Sequence, residues 1–178
     1  LRIDIGDRSG GNGQLFRNDS AYVFQGGELR RAVKTRNPLM ILGFDVYAQD
    51  PARSLQVLAE EGFDTGRFHR ATHDGKAYFV VGAAAGDTTS RQFWIEEDRL
   101  LFWRVIQPAP EAARDQRPSE IRFQKYVQHG GGWVAEEVDF LRGGRRYFFE
   151  TYADVRVNVD LDPALFDPAK WMTARYWR

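Results

Sequence analysis

Turn signals set between alternating apolar runs constrain this chain more than any other feature. Gln25-Gly26-Gly27 parts "LFRNDSAYVF" from "ELRRAVK", and His73-Asp74-Gly75 parts "RFHRAT" from "KAYFVVGAA". Further on, Gly130 to Gly132 and Gly143-Gly144 separate "IRFQKYVQ", "WVAEEVDFL" and "RRYFFETYADVRVNVDL". A glycine pair or an Asp-Gly step accepts positive φ at both turn positions, which is what a tight hairpin demands. The opening "LRIDI" alternates Leu1, Ile3 and Ile5 with Arg2 and Asp4, as a half-buried strand does. The pattern therefore predicts about ten antiparallel strands.

One region breaks the two-residue period, Asn37 to Asp64. Asp50 is a good N-cap, Pro51 suits the first helical position, Leu55 and Leu58 share a face, and Gly62 fits the residue past the end. Before it, "PLMILGFDVY" fits a second helix beginning after Asn37-Pro38, or a buried strand; Gly43 and the position of Pro38 favour the helix. A Pro-bounded charged stretch, "PAPEAARDQRPSE", reads as a solvated loop.

The segment "QFWIEEDRLLFWRVIQP" reads as a hairpin that is greasy on both faces. With Glu96 to Arg99 as its loop, Trp94, Leu101, Trp103 and Val105 fall on one face, and Phe93, Ile95, Leu100 and Phe102 on the other. A sheet of this size does not stay flat. The expected fold is mainly β with inserted helices (α+β), a single domain over residues 1–178: a strongly curved antiparallel half-barrel of about ten strands, plugged by the two short helices.

Composition narrows the function. Lys plus Arg and Asp plus Glu number 25 each, leaving no global field to attract a polynucleotide, so no nucleic-acid partner is expected. Cysteine is absent, which removes disulfides, thiolate nucleophiles and Cys-ligated zinc. No stretch approaches the roughly 20 apolar residues that span a bilayer, so any membrane association is expected to be peripheral rather than integral.

Catalytic and metal constellations are weak. On a strand, His69 and His73 stand roughly 13 Å apart at about 3.3 Å per residue, too far to share an ion, so they read as hairpin histidines. His129 beside its glycines reads as exposed, and Glu96, Glu97 and Asp98 read as a solvated tip without the spaced ligands of a calcium loop. Gly6 to Gly13 lacks the Gly-Lys-Ser/Thr and following helix of a phosphate site. Glu136 and Glu137 point to opposite faces and cannot act as one acid and base. Glu136 and Asp45 lie among apolar neighbours, and a buried carboxylate needs a partner. Either Arg104 or Arg122 reaches Asp45 and latches the helical plug to the sheet, or Asp45 is a rim charge in water.

The layout resembles that of the periplasmic lipoprotein-localisation carriers and receptors (the LolA/LolB family) and related bacterial lipid-binding proteins. The residues that carry the resemblance are "GKAYFVVGAAAGDTTSRQFWIEEDRLLFWRV" and "YADVRVNVDLDPALFDP", over roughly Tyr22 to Phe166. It implies a half-barrel closed by helices, and an exported protein of the periplasm or cell envelope. The family's opening amphipathic helix has no counterpart here and would precede Leu1, as would a signal segment; the carriers' Pro-rich closing segment is not evident after Phe166.

Aromatic and apolar side chains spread over neighbouring strands and the plug serve as core or as an acyl-chain cavity. The cavity reading assigns Met40, Leu55, Leu58, Trp94, Leu101, Trp103, Phe123 and Phe140 to its wall, with the tryptophan face of the hairpin turned to the hollow. The expected function is non-enzymatic binding, with transport or sensing, of a lipid or lipoprotein acyl chain, with no cofactor and no metal. The alternative is an interaction or sensor module whose concave face grips an envelope partner protein.

Overall fold

The computed structural model of the chain describes residues 1–112 and 117–176. Of the charged loop expected over Pro108 to Glu120, residues 113–116 lie outside the described residues. The chain is mainly β, and its contacts divide it into two compact units, Leu1–Ala48 with Asn158–Arg178, and Gln49–Val157. Its strands form two antiparallel sheets, of four and seven strands, where the turn pattern alone suggests one continuous series. The break falls where Asn37-Pro38 turns the chain into helix, because proline both starts a helix well and cannot donate to a ladder.

In the first unit, β1 (Arg2–Asp4), β2 (Gly13–Arg17), β3 (Ser20–Gln25) and β4 (Glu28–Lys34) form a meander in chain order. "LFRNDSAYVF" is two strands rather than one, because Asn18 and Asp19 take φ of 50° and 55° and close a tight hairpin. Helix α1 (Pro38–Gly43) is capped by Asn37, whose side chain accepts from the Leu39 N–H at 3.0 Å, and a 3-10 turn, Asp45–Tyr47, follows. The closing segment repeats one device twice: Asp162 and Asp167 cap the 3-10 turns Pro163–Phe166 and Pro168–Lys170.

These pieces meet at Trp171, which is 2% exposed and stacks on Phe24 with ring centroids 4.2 Å apart and planes 3° from parallel. Leu15, Tyr22 and Phe166 complete the cluster, and the indole N–H donates to the Gly11 carbonyl at 3.0 Å. Gly13 makes room for the ring, since a Cβ there would lie 2.9 Å from the indole and 2.1 Å from the Ile3 carbonyl. The register Arg2 to Leu15 and Asp4 to Gly13 turns both charged residues toward the same side as Trp171. The face expected to be buried is thus inverted: the Arg2 side chain is 5% exposed, whereas Ile5 is 54% exposed. The cause is local, for the Arg2 guanidinium lies 3.8 Å over the Trp171 ring and is neutralised by Asp4.

In the second unit, α2 (Pro51–Glu60) begins at the Asp50 cap and ends before Gly62, which has a φ of 83°. Its buried face is Ser54, Val57 and Leu58, leaving Leu55 exposed instead of sharing the face of Leu58. The strands β5 (Phe68–His73), β6 (Lys76–Val81), β7 (Gln92–Glu96), β8 (Phe102–Gln107), β9 (Ser119–His129), β10 (Gly132–Arg142) and β11 (Arg145–Thr151) pair consecutively. The last is shorter than its alternating sequence predicts: among the described residues no strand follows Thr151, and Asp154 and Asn158 adopt φ of 54° and 56°.

The β7–β8 hairpin has a different register from the one a four-residue loop gives. Ile95 pairs with Phe102 and Trp94 with Arg104, so Trp103 is an extra, bulged residue, and Leu100 sits at φ 54° in a longer loop. Phe93, Ile95, Phe102 and Val105 therefore share one face, while Trp94, Trp103 and Arg104 share the other; Val105 changes sides relative to the simple register.

Candidate functional site

A cavity of about 410 Å³ opens within the first unit. Leu1, Arg2 and Asp4 come from β1 and the residue before it, Met40 and Phe44 from α1 and its C-cap, and Leu161, Leu165, Phe166 and Tyr176 from the closing segment. Each element presents these residues for a local reason. The β1 register aims Arg2 and Asp4 inward, the Asn37 cap fixes the start of α1, and the Asp162 cap sets the turn that carries Leu165 and Phe166. Most of the wall is aliphatic or aromatic, with polar groups gathered in one corner, the arrangement of an apolar ligand site.

That corner is a closed network. Arg2 Nε donates to Asp4 Oδ2 at 3.0 Å, and Nη2 donates to Asp4 Oδ1 at 2.9 Å and to the Trp171 carbonyl at 2.8 Å. The Tyr176 hydroxyl also donates to Asp4. Burial works to raise the Asp4 pKa, yet the hydrogen bonds from Arg2 and Tyr176 prevail and hold it below the ordinary carboxylate value. Burial and the bond to Asp4 push the Tyr176 phenol up. Arg8 stacks on the outer side of Tyr176 at 3.8 Å and is itself exposed.

Of the residues expected to line an acyl cavity, Met40 is among those that line the cavity described above. The other seven belong to the second unit. There Leu58, Leu101 and Phe123 are buried, Phe123 edge-on to Phe102 at 5.0 Å; Phe140 is half-buried against Phe148, and Leu55 is exposed. Trp94 and Trp103 stand 5.5 Å apart, with Tyr78 stacked on Trp103 at 4.4 Å, but their face is not purely apolar. Arg104 lies 3.9 Å over Trp94 and 4.7 Å over Trp103, and Gln92, fully buried, accepts from the Trp94 indole at 2.8 Å.

The charged residues of the expected latch are placed as follows. Arg104 and Arg122 converge on Glu120, at 3.1 and 2.6 Å. Burial lowers the Arg104 pKa while Glu120 opposes that effect. Asp45 belongs to the other unit; burial raises its pKa, the Leu1 ammonium opposes this and Asp19 adds to it. Glu96, expected at a solvated tip, and Glu136, expected among apolar neighbours and in need of a partner, are both held. Glu96 is 9% exposed and gripped by Arg99 at 2.6 and 2.8 Å, and Glu136 lies 2.8 Å from His129, which is consequently not a free surface histidine.

Sequence reasoning missed Arg2, Asp4, Leu165, Phe166 and Tyr176. The available signals were the charge pair spaced by two in "LRIDI", which shares one strand face, and the doubled Asp-Pro step before Trp171. Among the described residues no group of three or more His, Asp or Glu could hold a metal ion, and no helix is long and apolar enough to cross a membrane. No family model matches the chain, and no curated protein or solved structure matches it either.

Proposed function

We propose that the chain binds a hydrophobic ligand, the acyl chain of a lipid or lipoprotein, in the cavity between β1, α1 and the closing segment, and carries or senses it in the bacterial cell envelope. In this reading the seven-stranded sheet is an open half-barrel, with Phe93, Phe102 and Val105 buried on one face and Val80, Gln92 and Ile106 on the other. The observation that carries the proposal is the cavity wall: about 410 Å³ faced by Met40, Phe44, Leu161, Leu165 and Phe166, with one polar corner. Such a volume lies within the range of small-molecule sites. Each methylene buried there is worth about 0.8 kcal/mol, so eight to ten of them supply roughly 6–8 kcal/mol before the costs of association. Binding without chemistry suits a corner whose charged groups are committed to one another.

The test is an uncharged fluorescent acyl probe, the methyl ester of a fluorescently labelled fatty acid, titrated into the purified protein, with Met40→Trp and Leu165→Trp as cavity-filling variants. The expected result is saturable probe binding that weakens at least tenfold in both folded variants. A folded wild-type protein that leaves the probe fluorescence unchanged, or variants that bind it as the wild type does, would refute the proposal.

A further inference from the structure

The chemistry of the polar corner narrows the ligand class. We infer that the cavity accepts the uncharged form of an acyl ligand, an ester or an alcohol, in preference to the free fatty-acid anion or an alkylammonium of the same length; this rests on the reading of the cavity as an acyl site.

An arginine at the end of an apolar cavity is ordinarily a carboxylate receptor, because its planar fork matches two oxygens. Here that fork is already occupied. Nε and Nη2 grip both oxygens of Asp4, a second Nη2 proton goes to the Trp171 carbonyl, and Nη1 points at the Leu165 carbonyl at 3.5 Å. Four of the five guanidinium protons are thus directed at groups of the protein itself. The plane cannot swing away to meet a ligand without leaving the Trp171 ring, on which it lies at 3.8 Å. Asp4 is likewise held by two partners, Arg2 and Tyr176, with its side chain 17% exposed.

To an entering chain end the corner is a compensated ion pair. An anionic head would meet the Asp4 carboxylate at the same moment as the Arg2 cation and would lose its hydration for at most the one guanidinium proton left on Nη1. A cationic head would meet the reverse arrangement. Of the other cations near the corner, Arg8 lies outside the wall and is exposed, so solvent screens it, and the Leu1 ammonium at the wall is engaged by the Phe16 carbonyl at 3.0 Å. An ester or hydroxyl oxygen has little hydration to lose and needs no counter-charge.

The experiment measures displacement of the fluorescent probe by four twelve-carbon ligands, dodecanol, methyl dodecanoate, dodecanoate and dodecylammonium, at pH 8 and below their aggregation limits. The two neutral ligands should displace the probe with apparent affinities at least tenfold tighter than either ion. Asp4→Asn, which leaves Arg2 uncompensated, should improve dodecanoate at least tenfold relative to dodecanol measured on the same folded variant. Dodecanoate binding the wild type as tightly as dodecanol would overturn the inference whatever the variant does. Failure of all four to displace the probe, or of the probe to bind, would instead remove the acyl-site reading beneath it.

Discussion

Replacing Trp171 by Ala should unfold the first unit more readily than any other single change to its core. The indole is 2% exposed, parallel-stacked on Phe24, covered by the Arg2 guanidinium, and hydrogen-bonded to the Gly11 carbonyl. Truncating a buried tryptophan to alanine costs about 3–5 kcal/mol through lost transfer energy and the residual cavity. Losing one of the two hydrogen bonds accepted by the Gly11 carbonyl, which keeps the Gly27 N–H at 3.0 Å, adds about 1 kcal/mol. The total, about 4–6 kcal/mol, is a large share of the 5–15 kcal/mol by which domains are usually stable. In urea, at an m-value of about 2 kcal/mol per molar, the midpoint should fall by about 2–3 M. Trp171→Phe keeps the stack and loses the N–H, so its midpoint should fall by less than about 1 M. The measurement is far-UV circular dichroism against urea for both variants. A drop under about 0.5 M for Trp171→Ala at unchanged m would show that the closing segment is not fastened through this ring.

Three further outcomes follow from particular contacts. Gly13→Ala places a Cβ 2.1 Å from the Ile3 carbonyl and 2.9 Å from the Trp171 ring, so it should cost about 2–3 kcal/mol by urea denaturation. Gln92→Leu removes the acceptor of the Trp94 indole and the donor to the Asp87 and Ser90 carbonyls, at 2.9 and 3.2 Å; with Gln92 fully buried and its partners at most partly so, a loss of about 1–3 kcal/mol in thermal or urea unfolding is expected. Two carboxylates of the first unit, Asp4 and Asp45, should respond to pH in opposite ways. Asp4 has a depressed folded-state pKa, so its contribution is present above its unfolded value and lost as pH falls through the folded one, and Asp4→Asn should lower the melting temperature at pH 7 but not at pH 2. Asp45 has a raised folded-state pKa, so the folded protein holds that proton more tightly; Asp45→Asn should raise the melting temperature at pH 7, with the gain shrinking as pH drops toward 4.

The turns were legible where the residues announce positive φ. Gly26-Gly27, Asp74-Gly75 and Gly143-Gly144 all adopt it, and the flanking strands pair as the alternation requires. Asn18-Asp19 does the same without a glycine, inside a run that alternates convincingly through it, so local pattern could not show that two strands were present. Both helices followed from their caps, but which side of α2 is buried depends on tertiary packing, and it turned Leu55 outward. The hairpin register was beyond reach for a related reason. A bulge at Trp103 changes no residue type, yet it moves every later side chain of β8 to the other face. The cavity was the least legible feature, since its wall is gathered from residues 1–4, 40–44 and 161–176, each of which reads on its own as core or strand.

One device recurs in both units and explains why polarity misled the reading of two strands. Arg2 lies over Trp171 and is tied to Asp4, while Arg104 lies over Trp94 and Trp103 and is tied to Glu120. A guanidinium is more weakly hydrated than an ammonium and is flat, so it can be buried against an indole when a carboxylate balances it. Strand positions that composition assigns to solvent therefore become interior ones, and Ile3 in β1 and Ile5 just after it are left more exposed than the Arg2 side chain. The two sites differ in what stands beside the pair. In the second unit Tyr78, Trp94 and Trp103 fill the space around Arg104 with their own rings, and the pair serves to hold a bulged hairpin in one register. In the first unit the corresponding space beside Arg2 and Asp4 is the hollow of about 410 Å³. The same compensated pair is thus closed over by aromatic rings in one unit and reached by a cavity in the other, which is why the proposal of ligand binding concerns the closing segment and β1 rather than the tryptophan-rich hairpin.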